Sequence, residues 1–226
     1  MLLFFRRRKT TRPLLVLAAP EPASPRLALI SAGAGGGEHR ADIDTPPRRT
    51  WPTLLDVVDH DYETDYAAAH VVDCGAGEGF FGAYALARGA AGVTSYEPVA
   101  ERFEALARAA RGRAGWRTIR AAVGARDGIS PQPDEDGDFE GIRVIALADV
   151  LEQAARDAEG APVVVKLTVD GAEAELLAAT PPAAWGAVSA VLVAARGPQR
   201  PIARHLHRAG FLPAGRRGGV LHFRRR

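Results

Sequence analysis

The stretch VVDCGAGEGFFG, from Val71 to Gly82, is an apolar run that ends in an acid and continues into alternating glycines. Gly75, Gly77 and Gly79 are separated by single residues, and the apolar segment that follows them has helical character. Glycine allows tight turns and left-handed backbone angles that other residues avoid. The stretch therefore predicts a β-strand, a glycine turn and the start of an α-helix.

Strand and helix patterns alternate from this turn to the end of the chain. The predicted strands are Val71–Cys74, Val93–Tyr96, Trp116–Val123 and the apolar runs PVVVKL and VSAVLVAA. The predicted helices are Phe80–Arg88, Ala100–Arg111, Ala148–Glu159, Ala172–Ala179 and Ile202–Ala209. Such alternation is typical of a parallel sheet with helices on both faces, whereas the final FLPAGRRGGVLHFRR has the pattern of two strands around a glycine turn. We predict an α/β fold with a doubly wound, mostly parallel, Rossmann-like sheet and a C-terminal antiparallel hairpin.

Residues 1–50 are rich in proline, glycine and arginine and differ from the alternating region. Within them, RLALI and EHRADID flank a glycine run like the two arms of a hairpin, which predicts a small N-terminal β appendage. The predicted organisation is an N-terminal extension over 1–50, partly β-hairpin or disordered, and one main domain over 51–226. A short helical stripe between Leu54 and Val58 leads into the main domain.

Composition places the chain among globular proteins. With 226 residues, 47% of them hydrophobic and 25% charged, it can bury one sizeable core, and a second full domain would be cramped. Its single cysteine, Cys74, excludes an internal disulfide framework and is compatible with a reducing compartment. The runs MLLFF and PLLVLAAP are too short for a membrane span, and the first precedes its basic residues, the reverse of a secretory signal. We expect a cytoplasmic protein without membrane partners.

The formal net charge is only +2, but arginine is concentrated at the two ends of the chain. The basic residues there are Arg6, Arg7, Arg8, Lys9 and Arg12 near the start and Arg216, Arg217, Arg224, Arg225 and Arg226 near the end. Such arms can contact nucleic acid, although solubilising tails are the simpler interpretation. Histidine and cysteine do not occur at the spacing of metal ligands, so no metal site is predicted.

Two classes of cofactor compete for the glycine turn. A dinucleotide requires the spacing G-x-G-x-x-G, with the pyrophosphate at the N-terminus of the following helix. This chain instead has G-x-G-x-G preceded by Asp73, whose carboxylate would repel a pyrophosphate but suits a ligand with an ammonium and a sulfonium, such as S-adenosylmethionine. Glu97 ends the second strand about 20 residues beyond the glycines, where a carboxylate can accept hydrogen bonds from both ribose hydroxyls. The competing interpretation is an ordinary α/β turn with a solvated acid at the strand end.

The segment VVDCGAGEGFFGAYALARGAAGVTSYEPVAERFEALARAA, followed later by VVVKLTVDGAEAELL, resembles the FkbM family of S-adenosylmethionine-dependent methyltransferases. The hallmarks of that family are an Asp-x-Gly-Ala-Asn-x-Gly loop, a Glu-Pro pair that ends the second strand, and a Lys-Ile-Asp-Val-Glu-Gly-Ala-Glu segment after the fourth. The resemblance runs from about His70 to Phe211, with IALADVLEQ at a helix start, and leaves residues 1–50 outside. It implies a class I, Rossmann-like methyltransferase sheet with S-adenosylmethionine as cofactor.

Carried over position by position, the resemblance implies two groups of site residues. The cofactor would be held by Asp73, Gly75, Gly77 and Glu97, together with Gly79 of the same turn. The side on which the methyl group is transferred would be lined by Lys166, Asp170, Gly171 and Glu173. Gly77 stands where the family has Asn, and glycine at this position is common in methyltransferases generally. Thr168 stands where the family has Asp, and Asp170 where it has Glu, so one of two family carboxylates is missing.

Methyl transfer to an alcohol requires a base that takes the alcohol proton. Thr168 cannot be that base near neutral pH, which leaves Asp170 or Glu173. Lys166, the only lysine of the main domain, could anchor a substrate anion, or it could form a structural ion pair with Asp170 or Glu173. Asp170 and Gly171 could likewise only cap the following helix.

These observations predict an enzyme, an S-adenosylmethionine-dependent methyltransferase that methylates an oxygen of a small-molecule or sugar-like acceptor. Two alternatives remain open at this point. Loss of the family Asp at Thr168 suits a degenerate methyltransferase fold that serves as a binding or interaction module without catalysis, and the terminal arginines suit an RNA-directed methyltransferase. No recognition motif of interleaved aromatic and basic residues supports the RNA alternative.

Overall fold

A computed structural model of the chain describes residues 61–130, 141–169, 171–195 and 197–226, and the backbone of three strands that precede them. Those three strands are β1 (Leu15–Ala19), β2 (Arg26–Ala32) and β3 (Glu38–Asp44). The later strands are β4 (His70–Cys74), β5 (Gly92–Tyr96), β6 (Trp116–Ile119), β7 (Ala122–Gly124), β8 (Gly128–Ser130), β9 (Ile142–Ala146), β10 (Val163–Leu167), β11 (Val188–Ala194), β12 (Phe211–Arg217) and β13 (Val220–Arg225). The helices are α1 (Phe80–Ala87), α2 (Ala100–Ala110), α3 (Leu147–Asp157), α4 (Glu173–Ala179) and α5 (Gln199–Arg208), with a 3-10 turn at Pro182–Trp185.

Seven strands form one sheet in the order β12-β13-β11-β10-β4-β5-β6. The five strands from β11 to β6 are parallel, and β13 runs antiparallel to both β11 and β12. The predicted fold class is therefore confirmed: the sheet is mostly parallel and Rossmann-like, and an antiparallel hairpin closes it at the C-terminus.

The strand order reverses next to β4. The chain leaves β4 towards one edge through β5 and β6, and then returns to the other side of β4 with β10 and β11. Sheets of this kind bind ligands at the carboxyl ends of their strands, near the point where the strand order reverses. The glycine turn follows β4, so the topology places it at this point.

An apolar cluster covers each face of the sheet. One contains Val71 and Val164 from the sheet with aromatic residues of α1, and the other contains Val72 and Val165 with leucines of α3, α4 and α5. Successive side chains of a strand point to opposite faces, so a strand covered on both sides must be apolar along its whole length. This requirement explains the nearly continuous apolar runs from which β10 and β11 were predicted.

The predicted third strand, Trp116–Val123, is wrong as a single strand. It is divided into β6, which pairs with β5, and β7, which pairs with β9 in a second sheet of order β7-β9-β8. Strands β8 and β9 were not predicted. β8 has three residues, all at least partly exposed, and the apolar run IRVIA of β9 continues without a break into α3, so no turn marks it as a separate strand.

Helix α5 begins at Gln199, three residues before the predicted start at Ile202. Pro201 lies in its first turn. The N–H groups of a first helical turn have no partner within the helix, so the N–H that proline lacks costs no helical hydrogen bond there. The other predicted helices agree with the observed ones to within two residues.

The strands near the N-terminus form a separate antiparallel sheet in the order β1-β2-β3. Its β2–β3 pair contains RLALI and EHRADID, which confirms that these segments are paired strands, whereas β1 was not predicted. The predicted stripe between Leu54 and Val58 lies outside the described residues. Within the part of the chain that the structure describes, no helix has the length and apolar character needed to cross a membrane.

Candidate functional site

The glycine turn has a left-handed backbone at all three glycines, with φ of +73° at Gly75, +56° at Gly77 and +93° at Gly79. A Cβ at Gly75 would collide with the main-chain carbonyl oxygen of Thr168, so only glycine fits there. A Cβ at Gly77 would meet no heavy atom within 4 Å, because this residue faces open space. Gly79 is the N-cap residue of α1. The turn thus packs against β10 at one glycine and is open to a ligand at the next.

The amide side of the turn is held by the end of β5. The Gly75 N–H donates to the carbonyl oxygen of Tyr96 at 3.0 Å. The Gly77 N–H donates to Oε2 of Glu97 at 2.7 Å, and the N–H of Val99 donates to Oε1 of the same carboxylate at 3.0 Å. The structure therefore brings Glu97 and the glycines together, as the sequence predicts.

Glu97 is only 3% exposed, and its burial raises the pKa of the carboxyl group. The hydrogen bonds from the N–H groups of Val99 and Gly77 act in the opposite direction, because they stabilise the ionised form. Each carboxylate oxygen accepts one of these bonds and keeps a lone pair for a second donor. Glu97 can therefore accept two further hydrogen bonds from a diol such as a ribose.

Asp73 lies inside the protein, behind the turn. Its side chain is fully buried, with Oδ1 2.9 Å from Nζ of Lys166 and Oδ2 3.3 Å from Oγ of Ser95. The Ser95 hydroxyl in turn accepts a hydrogen bond from Nε1 of Trp116 at 3.0 Å. Both carboxylate oxygens thus have partners within the protein, and direct contact between Asp73 and a cofactor remains a prediction.

Lys166 pairs with Asp73. Of its two possible ion-pair partners, Glu173 was wrong, because one oxygen of Glu173 accepts backbone N–H groups and the other has no partner among the described residues. A pairing with Asp170 falls on a residue outside the described ones. The two parallel strands β4 and β10 place Lys166 directly opposite Asp73, and their ion pair is buried on both sides. Burial acts to lower the pKa of Lys166, but the negative charge of Asp73, the influence of Tyr62, the hydrogen bond to Asp73 and the influence of Cys74 together raise it above its ordinary value. The ammonium is therefore charged in the folded protein.

The turn between β10 and α4 contains two buried polar atoms that have no hydrogen-bond partner among the described residues: Oγ1 of Thr168 and Oε2 of Glu173. The other oxygen of Glu173, Oε1, accepts hydrogen bonds from the N–H of Val169 at 3.3 Å and of Gly171 at 3.2 Å. The Glu173 side chain is 1% exposed. Its carboxylate is thus fixed by one oxygen and leaves the other available. Asp170 lies outside the described residues.

A cleft that was not predicted from the sequence lies beside Glu97. Its volume is about 190 Å³, and it is lined by Pro98, Arg120, Gly141, Ile142 and Arg143. The Glu-Pro pair was a signal for one wall, since Pro98 follows Glu97 directly. The other wall includes Ile142 and Arg143 of β9. Because β9 was not predicted, the cleft could not be predicted either. Among the described residues, no three acidic, histidine or cysteine side chains gather in a way that could hold a metal ion.

Comparison with known proteins shows similarity in fold. No protein-family model and no curated protein matches the chain. It is similar to a protein of the NADB-Rossmann superfamily from Streptococcus agalactiae, with 10% identity and a TM-score of 0.48 over 80% of this chain and 69% of that one. It is also similar to the fibrillarin pre-rRNA processing protein of Methanococcus jannaschii, with 12% identity and a TM-score of 0.47 over 96% and 94% of the two chains.

A third similar structure is an S-adenosylmethionine-dependent methyltransferase from Mesorhizobium loti. The identity is 20% and the TM-score 0.34, over 64% of this chain. The chain spans about half of that protein's length, 52%. At these identities the likeness concerns the fold alone.

Proposed function

We propose that the chain is a class I methyltransferase that uses S-adenosylmethionine and methylates a hydroxyl oxygen of a small-molecule or sugar-like acceptor, as its resemblance to the FkbM family implies. The observation that carries this proposal is the hydrogen bond between the Gly77 N–H and Glu97, which joins the glycine turn to a buried acid at the point where the strand order reverses. A nucleoside with a ribose diol and a small amino-acid part suits such a pairing.

The residues at the turn fit this cofactor. Gly77 leaves open space in which a ligand can approach the backbone, and Glu97 keeps a lone pair on each oxygen for the ribose hydroxyls. The cleft that begins at Pro98 provides room beside Glu97 for the base. Gly75 and Gly79 complete the turn, and Asp73 supports it from inside the protein.

When bound, the cofactor supplies an electrophilic methyl group on a sulfonium. The contribution of the chain is to hold the acceptor hydroxyl in line and to take its proton. Glu173 suits the second task because two backbone N–H groups fix Oε1, while Oε2 has no partner among the described residues and can accept the proton. Asp170, three residues earlier, is the other predicted base.

Replacing Glu97 with glutamine is expected to weaken binding of S-adenosylhomocysteine by about 10- to 100-fold. The carboxylate accepts one backbone N–H at each oxygen, so the amide of glutamine must turn its NH2 group towards either Gly77 or Val99. The NH2 group also cannot accept from a ribose hydroxyl, and a lost hydrogen bond to a charged group costs about 1.5–3 kcal/mol, which corresponds to this loss of affinity. Isothermal titration calorimetry of the purified full chain and the variant measures both affinities.

Glu101→Gln is the matched control, because Glu101 is an exposed glutamate in the first turn of α2. Its affinity for S-adenosylhomocysteine should equal that of the unmodified chain. If the unmodified chain is folded but does not bind S-adenosylhomocysteine, the proposed function is wrong. If it binds and Glu97→Gln binds equally well, the function stands but Glu97 has no part in the cofactor site.

The alternative of a binding module without catalysis rests on Thr168, whose buried hydroxyl replaces the family carboxylate. Transfer of a radiolabelled methyl group from S-adenosylmethionine to a panel of sugars and small alcohols separates the two functions. Transfer to any of them supports the enzyme. Micromolar binding of S-adenosylmethionine without methyl transfer to any member of the panel or to added RNA favours the binding module.

A further inference from the structure

The glycine turn is held from two sides by two different strands. On its amide side, the N–H groups of Gly75 and Gly77 donate to acceptors at the end of β5. On its carbonyl side, Nζ of Lys166 donates to the carbonyl oxygen of Gly75 at 2.6 Å and to that of Cys74 at 3.5 Å. The lysine, which belongs to β10, therefore bonds directly to the main chain of the turn.

Three acceptors account for the three N–H donors of the Lys166 ammonium: the carbonyl oxygens of Gly75 and Cys74, and Oδ1 of Asp73. The ring of Phe81 lies 5.6 Å from Nζ and presents its face to the charge. Lys166 is only 2% exposed. The ammonium therefore has no free donor for a substrate anion.

We propose that Lys166 is a positioning residue whose ammonium sets the conformation of the glycine turn, and that Asp73 holds this ammonium in place. The inference rests on the proposed function in so far as the turn is taken as the part that binds the cofactor. Glycine loses more conformational freedom on folding than any other residue, so a turn built on Gly75 and Gly77 needs bonds to its surroundings to keep one shape. The bonds from β5 fix the N–H groups, and Lys166 fixes the carbonyl groups.

This role makes the two members of the ion pair unequal. In Asp73→Asn the buried ammonium loses its counter-charge, but the amide oxygen can still accept from Nζ and hold it in place. Lys166 then still reaches the carbonyl oxygens of Gly75 and Cys74, so the turn keeps its bonds on both sides. In Lys166→Met those bonds are lost, and Asp73 is left buried without its cation. The double variant, Asp73→Asn together with Lys166→Met, has no uncompensated charge. It still lacks the hydrogen bonds to the carbonyl oxygens of Gly75 and Cys74. An ion pair that only stabilised the fold would make the two single variants alike and would leave the double variant close to the unmodified protein.

Hydrogen–deuterium exchange of the unliganded full chain tests the proposal, with the peptide that covers residues 75–79 as the probe and the peptide that covers β11 as the reference. Exchange in the turn should be about tenfold faster or more in Lys166→Met and in the double variant, and close to the unmodified rate in Asp73→Asn. The melting temperature should fall in Lys166→Met and recover in the double variant. Should Lys166→Met fail to fold, the comparison of Asp73→Asn with the double variant decides.

The affinity for S-adenosylhomocysteine provides the second readout. It should be about tenfold weaker in the double variant, in parallel with the faster exchange. Normal exchange and normal affinity in the double variant would show that the pair only stabilises the fold. Normal exchange and affinity with lost methyl transfer would make Lys166 a catalytic residue, and either result overturns the proposal. If neither the unmodified protein nor any variant binds S-adenosylhomocysteine, the proposed function is wrong. In that case the exchange rates of the turn still decide the role of Lys166.

Discussion

Replacing Gly75 with alanine is expected to lower the free energy of unfolding by about 2–5 kcal/mol and to abolish binding of S-adenosylhomocysteine. The new Cβ would collide with the carbonyl oxygen of Thr168, which is main chain and cannot rotate away. The left-handed φ of +73° adds strain for any residue with a Cβ. Relief of the collision must separate the glycine turn from β10, and the Gly75 carbonyl then moves away from Lys166. Urea denaturation and calorimetric titration measure the two effects.

Gly77→Ala is the matched variant, because Gly77 is also left-handed but has no heavy atom within 4 Å of the position of a Cβ. Only the backbone strain remains, so the free energy of unfolding should fall by about 1–2 kcal/mol. Affinity for S-adenosylhomocysteine should nevertheless fall, since the methyl group would occupy the open space that the proposed cofactor requires. Equal loss of stability in the two variants would contradict the packing of Gly75 on Thr168. Unchanged affinity in Gly77→Ala would place the ligand elsewhere.

Replacing Glu173 with glutamine is expected to lower the rate of methyl transfer by about 10²–10⁴-fold, the usual contribution of a general base. The variant should keep its fold, because the amide oxygen can accept the hydrogen bonds from Val169 and Gly171 that Oε1 accepts now. The NH2 group then replaces Oε2, the oxygen proposed to take the proton. Initial rates of transfer from radiolabelled S-adenosylmethionine to the best acceptor of the panel measure the loss.

Glu175→Gln is the control for this prediction, since Glu175 lies on the same helix but is exposed. Its rate should match that of the unmodified chain, and S-adenosylhomocysteine should bind equally to all three proteins. A Glu173→Gln variant with an undiminished rate would exclude Glu173 as the base and leave Asp170 as the remaining predicted candidate. A variant that loses ligand binding and the fold together would show that Glu173 serves the β10–α4 turn instead.

Part of the candidate site could be predicted because it depends on neighbours in the sequence. The glycines follow an apolar strand directly, and Glu97 ends the next strand of the same βαβ unit, so their meeting at one edge of the sheet requires only that β4 and β5 be parallel neighbours. The cleft beside Glu97 could not be predicted. One of its walls includes Ile142 and Arg143 of β9, a strand of another small sheet that continues in the sequence directly into α3 and is not marked off by a turn.

Lys166 marks the limit of what spacing can predict. Its position at the end of an apolar strand indicated an interior lysine, but Glu173, one of the two acids considered from the sequence, was the wrong partner. The true partner, Asp73, is 93 residues away. Only the pairing register of β4 and β10 places these two residues opposite each other.

The sequence by itself determined the fold class, the glycine turn and the acid that meets it, because periodicity, glycine and strand ends are local properties of a chain. The tertiary structure decided which charged groups have all their partners within the protein and which keep an atom without one. Asp73 and Lys166 satisfy each other behind the turn, whereas one oxygen of Glu173 has no partner among the described residues. Burial makes this distinction matter, since a charge removed from water must find its partner in whatever the fold places beside it.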